Sequence, residues 1–274
     1  MLKENDRISG GNIFEGIVSV RTLIANSLAF AAGDSGNDRK IKRVFCDSGR
    51  TGKSREYAWI KHRGEELGFD VVMCSSEDID RMTVGNTHGG LAAECTGRTI
   101  PGISADMIKP NGFYVMLEGI EDPYNFGYAL RSLYAAGADG IILSERNWMT
   151  AAGIVCRASA GASELLPLYL CGDDPAGVMK SAGYRIVCAD LRDSVSVFDA
   201  DLSLPLFLVV GGEKRGISRR LLDSSDLNVR IDYARDFTAS LSAASAATVA
   251  GYEVFRQNRG GGTLGAAQTR QGTS

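Results

Sequence analysis

Two loops in this chain carry the residue types that polar chemistry needs. The first reads Glu118-Gly119-Ile120-Glu121-Asp122-Pro123-Tyr124-Asn125-Phe126-Gly127, with Arg131 following. Asp122-Pro123 starts a turn and Asn125 can cap the helix after it, which sets Arg131 near that helix's second turn, able to face the loop mouth. The second reads Gly211-Gly212-Glu213-Lys214-Arg215-Gly216, and its glycines let a ligand's polar group approach backbone amides. Its spacing fits neither the Walker pattern nor the dinucleotide fingerprint. Taken singly, each loop also reads as an ordinary capped helix or glycine-rich turn. Material for other chemistries is scarce. His62 and His88 are the only histidines, too few for His-based nucleophilic catalysis or a His-rich metal site. Cys46, Cys74, Cys95, Cys156, Cys171 and Cys188 form no C-x-x-C pair and sit mostly in apolar runs. Buried free thiols and no bound metal are expected.

The elements that must position these loops alternate between strands and helices. Apolar spacing predicts helices over 12–32, 54–67 and 76–81, with strands at 43–47, 70–74 and 91–95. A stretch bearing Gly97, Pro101, Gly102 and Pro110 then reads as a linker. Beyond it, strands are expected at 113–117, 140–143, 165–170, 185–189, 206–210 and 229–233. Helices are expected over 128–136, 152–160, 175–182, 218–222 and 239–256. Apolar strands separated by helices predict an α/β fold with a mostly parallel sheet covered on both faces. Such sheets bind ligands at the carboxyl ends of their strands, where both loops fall. The expected division is 1–98, a linker at 99–110, a second domain over 111–259 and a disordered tail at 260–274.

Composition narrows the function classes. The 274 residues are 44% hydrophobic and 23% charged, which excludes a disordered, collagen-like or highly charged coiled-coil chain. The longest apolar runs, such as 204–210, fall far short of the ~18 residues of a membrane span. Residues 1–10 are polar and show no secretory signal, so a cytoplasmic protein with no membrane partner is expected. The net charge of −3 argues against a nucleic-acid partner, but its distribution argues otherwise. From Arg39 to Arg63, nine basic residues (Arg39, Lys40, Lys42, Arg43, Arg50, Lys53, Arg55, Lys61 and Arg63) face only Asp47 and Glu56. That local excess is a candidate phosphate-binding patch, or else a solvated surface.

Taken in order, the loops resemble the SpoU/TrmH family of RNA ribose 2′-O-methyltransferases, in the SPOUT superfamily. The family's first motif, roughly Asp-Pro-x-Asn-x-Gly-x-x-x-Arg, is matched from Asp122 to Arg131 without departure. Gly211-x-Glu213-x-x-Gly216 resembles the second motif. Arg157-Ala158-Ser159-Ala160-Gly161 is similar to the family's Arg-Ala-Ser-x-Gly. Ile231 and Ser240-Leu241 stand where the third motif begins, and Tyr252-Glu253 with Arg256-Gln257 resembles its closing helix. Residues 42–45 and 87–94 are similar to the small L30e-type substrate-binding domain of several members. Departures fall in the later motifs. Ile231-Asp232-Tyr233 stands for the usual Ile-Pro-Met, Ser240-Leu241-Ser242-Ala243-Ala244 for Ser-Leu-Asn-Val-Ser, and Gly212 for a common asparagine or alanine.

The resemblance implies an L30e-like RNA-binding domain followed by a SPOUT domain with a trefoil knot near its C-terminus. Unaided pattern reasoning would reject a knot. It implies S-adenosylmethionine as methyl donor, a homodimer, and an RNA substrate, ribosomal RNA by the two-domain layout. Asn125, Arg131, Glu213 and Ser240 are the implied catalytic residues. Leu117, Val210, Gly211, Gly216, Ile231 and Leu241 are the implied donor contacts. Lys42, Arg55, Lys61, Arg63, Arg157 and Ser159 are the implied RNA contacts. Leu117 and Val210 also read as plain core, and Ser240 as a helix cap. The changed third motif leaves a second reading, a catalytically inactive RNA-binding relative, and an unrelated α/β enzyme with a nucleotide ligand is a third.

Overall fold

Gly16 separates the first two described elements. Its φ of 86° lies in the left-handed region, which glycine adopts without strain. The helical spacing that runs from Ile13 is therefore interrupted: Ile13–Glu15 is strand β1, and helix α1 is Ile17–Ala32. The computed structural model describes residues 12–50, 55–84, 87–144 and 151–260. The polar segment 1–10, Lys53 and the tail expected beyond Gly260 lie outside the described residues. Next come β2 (Ile41–Asp47), α2 (Arg55–Leu67), β3 (Asp70–Cys74), α3 (Ser76–Met82) and β4 (Leu91–Cys95). These four strands form one sheet in the order β1-β4-β2-β3, with β4 antiparallel to both neighbours and β3 parallel to β2.

The chain continues as β5 (Phe113–Glu118), α4 (Pro123–Ala135), β6 (Gly140–Ser144), α5 (Ala152–Ala158), α6 (Ala162–Leu165), β7 (Leu168–Cys171) and α7 (Pro175–Ser181). It ends with β8 (Arg185–Ala189), β9 (Ser194–Ser196), β10 (Leu206–Gly211), α8 (Arg219–Asp223), β11 (Leu227–Arg230) and α9 (Ala243–Asn258). The seven strands from β5 onward make a wholly parallel sheet in the order β7-β6-β5-β10-β8-β11-β9. The middle strands β5 and β10 are buried along almost their whole length, as continuous apolar runs require. Three differences from the sequence reading have local causes. β9 is Ser-Val-Ser, too short and polar to register as a strand. β11 ends at Arg230 because its register is fixed by pairing with β8 and β9. α4 starts at Pro123, an N1 proline, ahead of the expected 128.

The chain packs as two compact units, and they are not contiguous in sequence. The first takes the chain to Pro101 together with Asp122–Arg131 and the described part of Glu145–Pro167. The second takes Gly102–Glu121, Ser132–Ser144 and the chain from Leu168. Pattern reading drew single boundaries, whereas α5 belongs with β1. A side chain on Gly153 would put its Cβ 1.9 Å from the Ile13 carbonyl oxygen.

Each unit has a polar fastener inside it. In the first, Arg39 Nε donates to Glu164 Oε2 at 2.8 Å, both side chains being 3% exposed. Arg39 Nη1 also donates to the Thr96 carbonyl, the guanidinium lies 4.7 Å from the Phe14 ring centroid, and Asn37 Nδ2 donates to Glu164 Oε2. In the second, Tyr184 Oη donates to the Lys109 carbonyl and accepts from Gly112 N–H, holding the connecting segment against the sheet. The end of α9 is fixed by Gln257, which accepts from Leu202 N–H at 2.8 Å and donates to the Ala200 carbonyl at 2.9 Å. Buried Glu253 accepts from Arg256, which holds its carboxyl below the usual glutamate range.

Removing one partner of a buried ion pair strands the other. Glu164→Gln should lower the unfolding free energy by about 3 kcal/mol in urea titration, against less than about 1 kcal/mol for Arg21→Ala in the exposed Arg21–Glu56 pair. The depressed Glu253 carboxyl gives stability that is complete above the ordinary glutamate pKa and is lost as pH falls through the folded value. Glu253→Gln should accordingly flatten the acid side of the Tm–pH curve, and an unchanged curve would remove this role.

Candidate active site

β5 and β10 are neighbours in register, Val210 beside Leu117 and Gly211 beside Glu118. The two polar loops therefore leave the carboxyl edge of the sheet side by side. Gly212 N–H donates to the Glu118 carbonyl at 2.7 Å, and Ser218 N–H to Glu118 Oε2 at 2.8 Å. Lys214 Nζ lies 2.7 Å from Glu121 Oε2. Only glycine permits this closeness. A Cβ on Gly212 would sit 2.3 Å from the Gly119 carbonyl oxygen, and one on Gly211 2.4 Å from the Gly216 carbonyl carbon.

Glu213 reaches from the second loop to the start of α9, where its Oε1 accepts from Ala243 N–H at 3.3 Å. A carboxylate there complements the free amides and positive end of the helix. The N-cap of α9 is Ser242, whose hydroxyl accepts from Ser245 N–H at 3.2 Å. Just before it, Leu241 N–H donates to Tyr233 Oη at 3.0 Å, closing the segment between β11 and α9 into a ring.

The second loop, the ends of β8 and β11, and the segment leading into α9 enclose a cleft of about 580 Å³. Val210, Gly211, Glu213, Gly216, Ile231, Ser240 and Leu241 all line it. Its charged lining is three carboxylates, Asp190, Glu213 and Asp232, against Arg230. Asp232 accepts from Arg230 Nε at 2.8 Å, and hydrogen bonds from Ser196 and Arg230 hold its carboxyl below the usual range, so it is ionised at neutral pH. The cysteines are free, no cysteine is among the described residues lining the cleft, and burial pushes the Cys46 thiol up to about 12 and Cys188 to about 11.

With this geometry, residues 112–252 match the profile of the SpoU rRNA Methylase family. The chain belongs to that family. An uncharacterised tRNA/rRNA methyltransferase of Mycobacterium ulcerans is 30% identical over 203 residues, a span of 72% of this chain and 65% of the relative. The SpoU methyltransferase AviRb of Streptomyces viridochromogenes, solved with AdoMet, superposes with a TM-score of 0.72 at 22% identity, covering 95% of each chain. An AdoMet-bound rRNA methyltransferase of Sinorhizobium meliloti superposes with a TM-score of 0.71 at 23% identity, covering 89% of this chain and 86% of the other.

Several expected SpoU-family roles change on inspection. Leu117 is 1% exposed inside the sheet, so the plain-core reading holds for it. Asp122, not Asn125, caps α4: its Oδ2 accepts from Asn125 N–H at 3.0 Å and its carbonyl accepts from Phe126 N–H. Arg131 is exposed and opens the third turn of α4, one turn later than expected because the helix starts earlier. Six helical residues rotate by about 600°, so Asn125 and Arg131 leave the helix about 120° apart. Both lie in the first unit, and neither is among the described residues lining the cleft. Ser240 lines the cleft and is not the cap, which is Ser242.

Of the implied RNA contacts, Ser159 is a correction. It is 1% exposed, and its hydroxyl donates to the Cys156 carbonyl and accepts from Ser163 N–H. It presents nothing to RNA. Arg157 is half-exposed but ion-paired to Glu15 and bonded to Thr87. Arg63 is paired with Glu66, and Lys42 lies 3.9 Å from Glu94, whereas Arg55 and Lys61 are exposed. Asp190, Asp232, Tyr233 and Phe237 also line the cleft, and sequence reasoning missed them. Asp190 directly follows β8, and that strand-end position was the available signal.

Serine and asparagine are comparable N-caps. Ser242→Asn should therefore hold the thermal midpoint of the protein, while Ser242→Ala should cost about 1 kcal/mol. Equal losses for both variants in chemical denaturation would deny the capping role.

Proposed function

We infer that the protein is an S-adenosylmethionine-dependent RNA methyltransferase acting on a ribose 2′-hydroxyl, with ribosomal RNA as the expected substrate class. The observation that carries this reading is the cleft at the carboxyl ends of β8, β10 and β11, lined by residues of the family's second and third motifs. Its fit to the donor has two physical parts. The volume lies within the ~300–1,000 Å³ usual for small-molecule sites. The carboxylate excess suits a cationic sulfonium ligand. The chain spans about 65% of the length of the Mycobacterium ulcerans relative.

When bound, S-adenosylmethionine supplies an activated methyl group for an in-line displacement. Gly211, Gly216, Ile231 and Leu241 would hold the donor, with Val210 behind them. Glu213 fixes the start of α9 and so positions the wall that carries Ser240 and Leu241. The family resemblance gives Arg131, which does not line this cleft within its own chain, the RNA phosphate and the developing alkoxide. In this reading Arg131 acts through charge and its planar fork and not as the base. Water or the RNA phosphate takes the hydroxyl proton, and Asn125 would orient the ribose. Lys42, Arg55 and Lys61 would carry RNA phosphates on the first unit, giving affinity that falls steeply with salt.

The proposal includes a homodimer. Gly251 of α9 packs against Leu133 and Ala136 at the end of α4, and Tyr134 and Tyr252 on these adjoining segments are 46% and 45% exposed. The trefoil knot implied by the family resemblance belongs to the same reading.

Calorimetric titration with S-adenosylmethionine and S-adenosylhomocysteine should give about one saturable site per chain. Absence of binding by folded protein would favour the RNA-binding relative without turnover. In a methyl-transfer assay on ribosomal RNA, Arg131→Lys should cut kcat by about tenfold or more, with donor affinity unchanged, because lysine lacks the planar fork. Full activity in that variant would remove the role given to Arg131.

A further inference from the structure

The mouth of the cleft differs in character from its interior. Val210, Ile217, Val229 and Ala246 give the inner wall small or aliphatic surfaces. Leu191, Tyr233 and Phe237 line the same cleft yet are 79%, 40% and 57% exposed. Large apolar groups gathered at one opening mark a surface that a ligand covers. Two of the three are flat rings. Tyr233 is anchored, since its hydroxyl accepts from Leu241 N–H at 3.0 Å. Phe237 lies against it with ring centroids 5.8 Å apart and planes tilted by 56°. Leu191 follows β8 by two residues, and Ala189 of β8 is paired with Val229 of β11, the strand from which the Tyr233 segment departs.

We propose that Phe237, steadied by Tyr233, stacks on the base of the nucleotide whose ribose enters the cleft. The proposal rests on the reading of the cleft as the methyl-donor site. In-line transfer brings the ribose hydroxyl to the methyl group through the mouth, and the base attached to that ribose arrives with it. With the donor in the interior, the rim rings are left for the incoming nucleotide. Charge decides which part of the nucleotide meets them. The described lining carries Asp190, Glu213 and Asp232 against Arg230, with Arg192 paired to Asp190 beside it, a balance that favours the neutral face of a base over a phosphate at the rim. Aromatic stacking accepts any base, because each has a π-face. Tyr233 stands where the family resemblance places methionine, so the ring that steadies Phe237 is a departure of this chain, and the pair acts as a positioning element at the point of reaction.

The test uses the full chain saturated with S-adenosylhomocysteine and a single-stranded RNA nonamer carrying 2-aminopurine at its centre, a base whose fluorescence is quenched by stacking. Wild-type protein should quench it at low salt. Phe237→Ala should lose the quenching and bind the RNA about tenfold more weakly, the usual cost of one base stack. Its affinity for S-adenosylmethionine should stay within about twofold of wild type, and Phe237→Trp should restore quenching. Phe237 is exposed, so the variants test the ring rather than the fold. Quenching and RNA affinity unchanged in Phe237→Ala would overturn the proposal. So would a tenfold loss of donor affinity with RNA binding intact, which would give the ring to the donor's adenine. Wild-type protein that quenches through Phe237 but binds neither donor nor product would support stacking and sink the methyl-donor reading.

Discussion

The pairing of β5 with β10 is the constraint on which the rest of the site depends. The two strands are about ninety residues apart in the chain, yet they lie in register with Gly211 beside Glu118. That pairing makes two separate loops into one structure. The carbonyl and carboxylate of Glu118 take amide hydrogens from Gly212 and Ser218, and Lys214 meets Glu121. Gly211 and Gly212 are required because neighbouring backbone already fills the space a side chain would need. The glycine-rich loop is thus a packing solution first, and the cleft beside it is a consequence.

The other wall of the cleft is held by α9, which is tied down at both ends. At its start, Ser242 and Glu213 satisfy amides that the helix cannot satisfy itself. At its finish, Gln257 and Asn258 bond the backbone of Ala200, Leu202 and Leu204. The departures in the third motif look different in this light. Losing an asparagine at position 242 keeps the cap, because a serine hydroxyl accepts the same kind of bond. Asp232 and Tyr233 carry the larger change, an ionised carboxylate and a ring where the resemblance places proline and methionine.

Charge is redistributed by folding more than by sequence. The basic run from Arg39 to Arg63 has a large local excess of positive charge, but its members have different fates. Arg39 is buried against Glu164, Arg43 pairs with Glu94 at 2.7 Å, and Arg63 pairs with Glu66. The acids come from outside the run or from its far edge, so counting within the run overstates the field. Lys40, Lys42, Arg50, Arg55 and Lys61 stay on the surface, which is what phosphate contact requires.

Strand positions, the two loops and the first motif were legible in the sequence because each depends on neighbours along the chain. Apolar runs are long enough to identify β5, β8 and β10, and a proline after an aspartate marks the start of α4. What required the tertiary structure is whatever depends on distant partners. Ser159 looks like a surface contact in a motif, but packing buries it within α5 and its following turn. α5 belongs with β1 because Gly153 meets Ile13, a relation no local pattern encodes. Asp190, Tyr233 and Phe237 are unremarkable as letters and become cleft residues only when β8, β10 and β11 lie side by side. Periodicity fixes which face of an element is apolar, while strand order and side-chain partners are set by long-range packing, and that packing decided the shape and charge of the cleft.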